Sequence, residues 1–298
     1  MNITMSQQTL IRNIHEKDHM RGYSRAFSRR TFTDVLKFSD YSYLDSLMNE
    51  RELHRRCSTY EDGLSVIYRK MRQSYKNEYV YKNELINKWL LKYYGTRNTV
   101  YFSEFRVGSS IADLAMFNGE SKAFEIKSDI DSPVRLGQQL RDYALFFDKV
   151  YIVVPYKKVE EYLSCIDVHI GVLTIEDSGR TVEISEYRPA MQNDTFDVHY
   201  AMQVLRTNEY LNIIQRKIGC VPDVPVGRMY SVCEQLMKSI PTEELRMEIL
   251  KEIKQRRTKS FKLRKCPSML RQMFLSLNLT QVQADELQKK FKRPIERL

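Results

Sequence analysis

Between residues 111 and 176 the hydrophobic positions first alternate with polar ones, then recur at helical spacing, then run together, and these three patterns in succession predict an α/β core. Ile111-Ala-Asp-Leu-Ala-Met-Phe117 is a short apolar run holding a single acid, bounded by Gly108-Ser-Ser on one side and Asn118-Gly119 on the other. In Ala123-Phe-Glu-Ile-Lys127 the strand period puts Glu125 and Lys127 on one face and Phe124 and Ile126 on the other. Asn-Gly between two strand-like runs signals a tight hairpin, so the Asp113 strand is expected alongside the Glu125 strand. After a polar loop, Leu136, Leu140, Tyr143, Ala144 and Phe147 fall on one helix face. Gln139 and Tyr143, at i and i+4, leave that helix on a common side. Val150-Tyr-Ile-Val-Val-Pro155 is nearly continuous in apolar character, as in strands buried on both faces. Strand, helix and buried strand make a βαβ unit with a parallel pair. A helix around 157–164 and strands over 171–176 and 181–185, separated by Asp177-Ser-Gly-Arg180, extend the sheet.

Both flanks read as helical. Over residues 1–76, Phe38, Tyr41, Leu44 and Leu47, then Leu64, Ile67, Tyr68 and Met71, form stripes that signal packing. Ser28-Arg29-Arg30, with Arg21, Arg25, Tyr23 and Phe27 nearby, is either a nucleic-acid grip or a solvated helix face. Pro189 and Gln192-Asn-Asp-Thr195 mark a boundary, beyond which lies a second helical region interrupted at Pro222-Asp-Val-Pro225 and ending in a helix with Thr280 as N-cap. Three regions result: 1–76, 77–190 and a basic 191–298.

One acid in an apolar strand needs a partner, because an unpaired buried carboxylate is costly. Asp113 beside Glu125 offers oxygen ligands of the kind Mg²⁺ takes, one or two carboxylates with water and substrate phosphates, and Lys127 is placed to orient water or balance phosphoryl charge. Alone, Glu-x-Lys is more often a surface ion pair; the βαβ context and the Gln139 and Tyr143 pair make it a site.

Asp113, Glu125-x-Lys127 and Gln139-x-x-x-Tyr143 together resemble the core of the PD-(D/E)xK (restriction-endonuclease-like) nuclease superfamily, in its branch with a Q-x-x-x-Y motif. The run from Glu125 through Arg135 to Val154 is similar to a little-characterised bacterial family within it, and the resemblance spans about residues 80–155. It implies an α/β fold with a mixed-sheet αβββαβ core, Mg²⁺ or Mn²⁺ bound by Asp113 and Glu125, Lys127 as the catalytic lysine, and Gln139 and Tyr143 ordering the site or touching the DNA backbone. It also implies an acid on the preceding helix, for which Glu84 in Tyr81-Lys-Asn-Glu84-Leu is the match, as a catalytic residue and further metal ligand. The superfamily's Pro before the Asp is replaced by Ile111-Ala112. Arg106 and Arg135 are candidate phosphate contacts, and Asp129 and Asp131 are either site residues or loop residues.

The 298 residues, 42% hydrophobic and 29% charged, suit a globular chain of one or two domains. No apolar run of about 18 residues and no signal-peptide pattern occurs, so a cytoplasmic protein without a membrane partner is expected. Five dispersed cysteines predict reduced thiols, and five dispersed histidines (His15, His19, His54, His169, His199) give no metal motif. Neither a Gly-rich phosphate loop nor a G-x-S-x-G elbow is present. The net charge of +10 is concentrated near the C-terminus, where Lys251, Lys254, Arg256, Arg257, Lys259, Lys262, Arg264 and Lys265 crowd one window. Such clusters favour polyphosphates through counterion release, with Lys254, Arg256 and Arg257 as candidate contacts. The expected function is a metal-dependent nuclease acting on DNA, in restriction, repair or defence against mobile DNA, as a homodimer or with a protein partner. The alternative is a non-cleaving DNA-binding regulator or adaptor on the same fold.

Overall fold

Six strands form one mixed sheet whose spatial order follows the chain. They are β1 Val100–Val107, β2 Ser110–Phe117, β3 Ser121–Ile126, β4 Lys149–Pro155, β5 Gly171–Asp177 and β6 Val182–Arg188. The computed structural model describes residues 20–74, 77–129, 131–178, 181–256 and 260–296. β1 with β2 and β2 with β3 are antiparallel, whereas β3 with β4 and β4 with β5 are parallel. The hairpin expected at Asn118-Gly119 joins β2 to β3, and the Asn118 carboxamide oxygen accepts from the Gly119 and Glu120 amides at 2.6 and 3.2 Å. Sequence patterning did not locate β1, an edge strand whose outward positions are polar: Tyr101, Phe105 and Val107 are buried, Glu104 and Arg106 exposed.

The helix predicted after β3 is Leu136–Ala144, preceded by a 3-10 turn at Pro133–Arg135. Leu136, Leu140 and Tyr143 are buried, and just beyond the helix Phe146 and Phe147 meet Phe105 and Phe117 with ring centroids 5.7 to 6.5 Å apart. Edge-to-face and tilted aromatic pairs of this kind each add about 0.5–1.5 kcal/mol beyond their burial. Helix N-terminal to β1, three strands, this helix and β4 give the order αβββαβ.

Contacts divide the chain into two units that do not follow boundaries at 76 and 190. One comprises Leu90–Glu176 and Glu183–Lys262, and therefore holds the sheet. Its helices Val198–Val204, Thr207–Ile218, Val226–Lys238 and Thr242–Gln255 share a hydrophobic core with β1, β2, β4 and the Leu136–Ala144 helix. Arg246 fastens them: its guanidinium donates to Asp148 at 2.5 Å and to the Asn193 and Thr195 carbonyls at 3.1 Å, while Asp148 accepts from the amide and hydroxyl of Ser121 on β3.

The other unit gathers the described residues up to Trp89, within 177–182 and from Leu263 onward. Tyr41, Leu44, Leu47, Leu64, Ile67, Tyr68 and Met71 are buried as their spacing predicts. Phe38 departs from that stripe and is 72% exposed, because its helix ends there and Ser39 turns left-handed. Phe32 meets Phe291 edge to face at 4.9 Å, and Lys290 donates to the Val35 and Leu36 carbonyls. Thr280 caps the Gln281–Phe291 helix in a capping box with Gln283. All five cysteines are free thiols. Among the described residues no helix is long and apolar enough to cross a membrane.

Candidate functional site

The β2–β3 ladder ends at Leu114↔Phe124, and one further step of the same register sets Asp113 opposite Glu125. There the strands part. The Ile126 amide, which would otherwise face β2 backbone, donates instead to Asp113 Oδ2 at 2.7 Å. The β1–β2 ladder has a gap at the same level, between Ser103↔Leu114 and Phe105↔Ala112. The residue that the register sets opposite Asp113 in that gap is Glu104, whose φ of +57° is strained for a side chain with a Cβ. Asp113 thus sits where the ladder to β3 ends and the ladder to β1 is interrupted at one position. Motif reading missed Glu104, and the only signal was an acid among the aromatic residues of Tyr101-Phe-Ser-Glu-Phe105.

Glu125 is 3% exposed and both its oxygens are engaged. Oε1 accepts from Lys127 Nζ at 2.9 Å and from Gln139 Nε2 at 2.7 Å, and Oε2 accepts from the Tyr143 hydroxyl at 2.8 Å. Lys127 Nζ also donates to Gln139 Oε1 at 3.0 Å. The ladder reaches one residue past β3, the Lys127 amide donating to the Val153 carbonyl at 2.9 Å, which keeps the lysine on the Glu125 face. Burial, then the charge of Asp113, raise the Glu125 carboxyl above its ordinary value against the opposing pull of Lys127. Burial and Glu125 raise the Tyr143 hydroxyl well beyond its usual range, so it stays a proton donor. Four of the residues read from the sequence, Glu125, Lys127, Gln139 and Tyr143, therefore form one bonded network, with Asp113 acting on it.

Asp142, between Gln139 and Tyr143 in sequence, faces elsewhere and fixes their helix. It is 1% exposed, and its carboxylate accepts from Ser109 and Ser110 at 2.8 and 2.7 Å, Gln138 at 2.8 Å and Tyr200 at 3.4 Å. Burial acts to raise its carboxyl, but these bonds, led by Ser110, outweigh it and lower the value. Gly108, at φ +57°, lets the β1–β2 turn come this close: a Cβ there would lie 2.5 Å from the Tyr200 ring.

The remaining candidates are distributed as follows. Arg106 is exposed on β1 and pairs with Ile111, two positions along the strand from Asp113 and on the same face. Arg135 is exposed at the start of the Leu136–Ala144 helix. Asp131 folds the intervening loop by accepting from the Ser128 amide and hydroxyl at 2.7 and 2.6 Å, and Asp129 pairs with Lys157 at 3.0 Å. Glu84 lies in the unit that carries the N-terminal helices, 3% exposed, where it accepts from the Tyr68 hydroxyl at 2.6 Å. Among the described residues no group of three or more His, Cys, Asp or Glu side chains is placed to hold a metal ion, so Asp113 and Glu125 form a two-carboxylate set without a third such ligand. The basic window is partly structural: Lys254 donates to the Asn118 carbonyl at 2.9 Å, and Arg256 forks onto Glu209 at 2.7 and 2.6 Å while donating to the Val204 carbonyl at 2.8 Å. Those bonds give both cations partners within the protein. Arg257 lies outside the described residues.

These features define an α/β protein with a six-stranded mixed sheet, in which Glu125, bonded to Lys127, stands opposite Asp113 where the β2–β3 ladder ends. The chain belongs to the family described as bacteriophage P4 protein cII, matching it over residues 71–281, more than half its length. It is 36% identical over 97 residues to protein cII of Enterobacteria phage P4, a match that covers 32% of this chain and only 37% of that protein. A protein of unknown function from Silicibacter pomeroyi aligns over 49% of this chain and 94% of its own, at 14% identity and a TM-score of 0.31, a likeness too slight to bear on the fold.

Proposed function

We propose that this protein is a Mg²⁺- or Mn²⁺-dependent nuclease with a PD-(D/E)xK core, hydrolysing phosphodiester bonds in DNA. The observation that carries the reading is the placing of Asp113 opposite Glu125 where the β2–β3 ladder ends, with Lys127 bonded to Glu125. The element order αβββαβ and the Gln139 and Tyr143 bonds to Glu125 support it.

The donor set fits a hard divalent cation. Burial first, and the charge of Asp113 second, raise the Glu125 carboxyl, a cost a cation would relieve, and a carboxylate accepting three bonds keeps a lone pair for a ligand. A bound Mg²⁺ supplies Lewis acidity toward a phosphoryl oxygen and acidifies a water. Tyr143 and Gln139 hold the Glu125 carboxylate in one orientation, and the Ile126 amide fixes the Asp113 carboxylate opposite it. Lys127, shared between Glu125 and Gln139, holds an ammonium where a nucleophilic water is oriented or phosphoryl charge develops. Arg106 and Arg135, exposed at the two margins, meet the flanking phosphates. Glu84, bonded to Tyr68 in the other unit, is not used in this mechanism.

Supercoiled plasmid and single-stranded DNA incubated with Mg²⁺, Mn²⁺ or EDTA test the proposal. Metal-dependent cleavage is expected from the wild type, falling at least about 10²-fold in Asp113→Ala and Lys127→Ala variants whose circular dichroism is unchanged. Intact substrates with every protein and metal, alongside a DNA shift in a gel, contradict cleavage and leave DNA binding alone.

A further inference from the structure

The unit that carries the N-terminal helices contains a cavity of about 380 Å³ lined by Arg69, Arg72, Lys88 and Arg271, with Glu84 the one carboxylate among the described lining residues. Three helical segments build it. Ser65, Tyr68, Arg69 and Arg72 recur at helical spacing on Tyr60–Ser74; Glu84, Asn87 and Lys88 do so where Glu78–Leu85 runs into a π turn; Ser268 comes from the 3-10 turn Ser268–Leu270 and Arg271 from the start of the Arg271–Ser276 helix that follows it. The walls are fixed. Asn83 and Asn87 donate to the Ser268 carbonyl at 2.8 and 3.0 Å, and Arg271 donates to Asn87 Oδ1 and the Leu263 carbonyl, both at 2.8 Å. Glu84 is 3% exposed, and its Oε1 accepts from Tyr68, whose hydroxyl in turn accepts from Asn83 at 2.8 Å.

The cavity sets four cationic side chains against one carboxylate among its described lining residues, an excess of positive charge that favours an anion. Guanidinium forks match tetrahedral oxyanions, and the Ser65 hydroxyl adds a neutral donor. We propose that this cavity binds a phosphoryl group, a site separate from the Asp113 and Glu125 pair and independent of whether that pair cleaves DNA. Its ligand is either a backbone phosphate of nucleic acid or a free phosphate or mononucleotide.

The test uses the full chain in EDTA, which removes cleavage from the measurement. Arg69→Ala/Lys88→Ala is compared with the wild type and with Lys37→Ala/Lys292→Ala, a variant losing two exposed cations elsewhere in the same unit. Melting temperature is followed with inorganic phosphate and with dAMP, and fluorescence anisotropy with a 5′-phosphorylated single-stranded oligonucleotide at several salt concentrations. If the cavity takes backbone phosphate, the pocket variant binds the oligonucleotide at least about tenfold more weakly and its log K against log salt slope falls by about one to two, with the control variant near wild type. If it takes free phosphate, the ligand-induced rise in melting temperature disappears in the pocket variant alone. Equal behaviour of the pocket and control variants toward all three ligands overturns the proposal.

Discussion

Glu125 shows most clearly how a single side chain links stability to function. Its carboxyl is raised in the folded state by burial and by Asp113. The stability that a raised acid contributes is present below its unfolded value, near 4.3, and is lost as pH rises through the folded value. At neutral pH the metal-free site is therefore under electrostatic strain, which Lys127 offsets in part and a divalent cation would offset further. Asp113→Asn removes one negative charge while retaining an oxygen for the Ile126 amide. It should stabilise the metal-free protein by on the order of 1 kcal/mol in thermal unfolding and abolish any rise in melting temperature with Mg²⁺. Asp142 has the opposite sign. Its lowered carboxyl contributes stability above the unfolded value that is lost as pH falls through the folded one, so Asp142→Asn should cost about 1–3 kcal/mol at pH 7 and less at acid pH. Asp113, Glu125, Lys127, Gln139 and Tyr143 were legible in the sequence because two periods, alternation on strands and i,i+4 on a helix, set which faces they share. Glu104 was not, since its place follows from a backbone torsion and a gap in a ladder that no residue type announces.

Among elements, the Leu136–Ala144 helix matters most, because it brings Gln139 and Tyr143 to β3 and is held by Asp142 from the β1–β2 turn. Gly108→Ala should perturb that helix without touching the site, its new Cβ meeting the Tyr200 ring at a residue already at positive φ. A melting temperature lowered by several degrees is expected, with any DNA cleavage reduced in parallel. The hairpin and the parallel pair were readable from Asn118-Gly119 and from the Val150–Pro155 run. The assignment of residues 263–298 to the N-terminal unit was not, because contacts such as the Tyr41 hydroxyl with the Lys290 carbonyl join positions that local pattern cannot relate.

Across the whole molecule, net charge of +10 favours a polyanionic partner but does not say which cations face it. The charge run near residue 256 illustrates why: Arg256 has a side chain only 10% exposed and is spent on Glu209, a partner forty-seven positions away in the chain. Arg256→Ala should therefore destabilise the fold by about 1–3 kcal/mol, leaving the buried Glu209 with Arg206 alone among the described residues as its partner, with any DNA affinity and salt slope of the folded fraction unchanged. Arg106→Ala/Arg135→Ala should do the reverse, weakening DNA binding and lowering the salt slope at nearly constant melting temperature. The carboxylate pair where the β2–β3 ladder ends is tested most directly by anomalous diffraction from crystals soaked in Mn²⁺. A peak is predicted within ligand distance of both the Asp113 and Glu125 carboxylates and absent from Asp113→Ala crystals; a wild-type site without a peak, in crystals where Mn²⁺ is bound elsewhere, would contradict it.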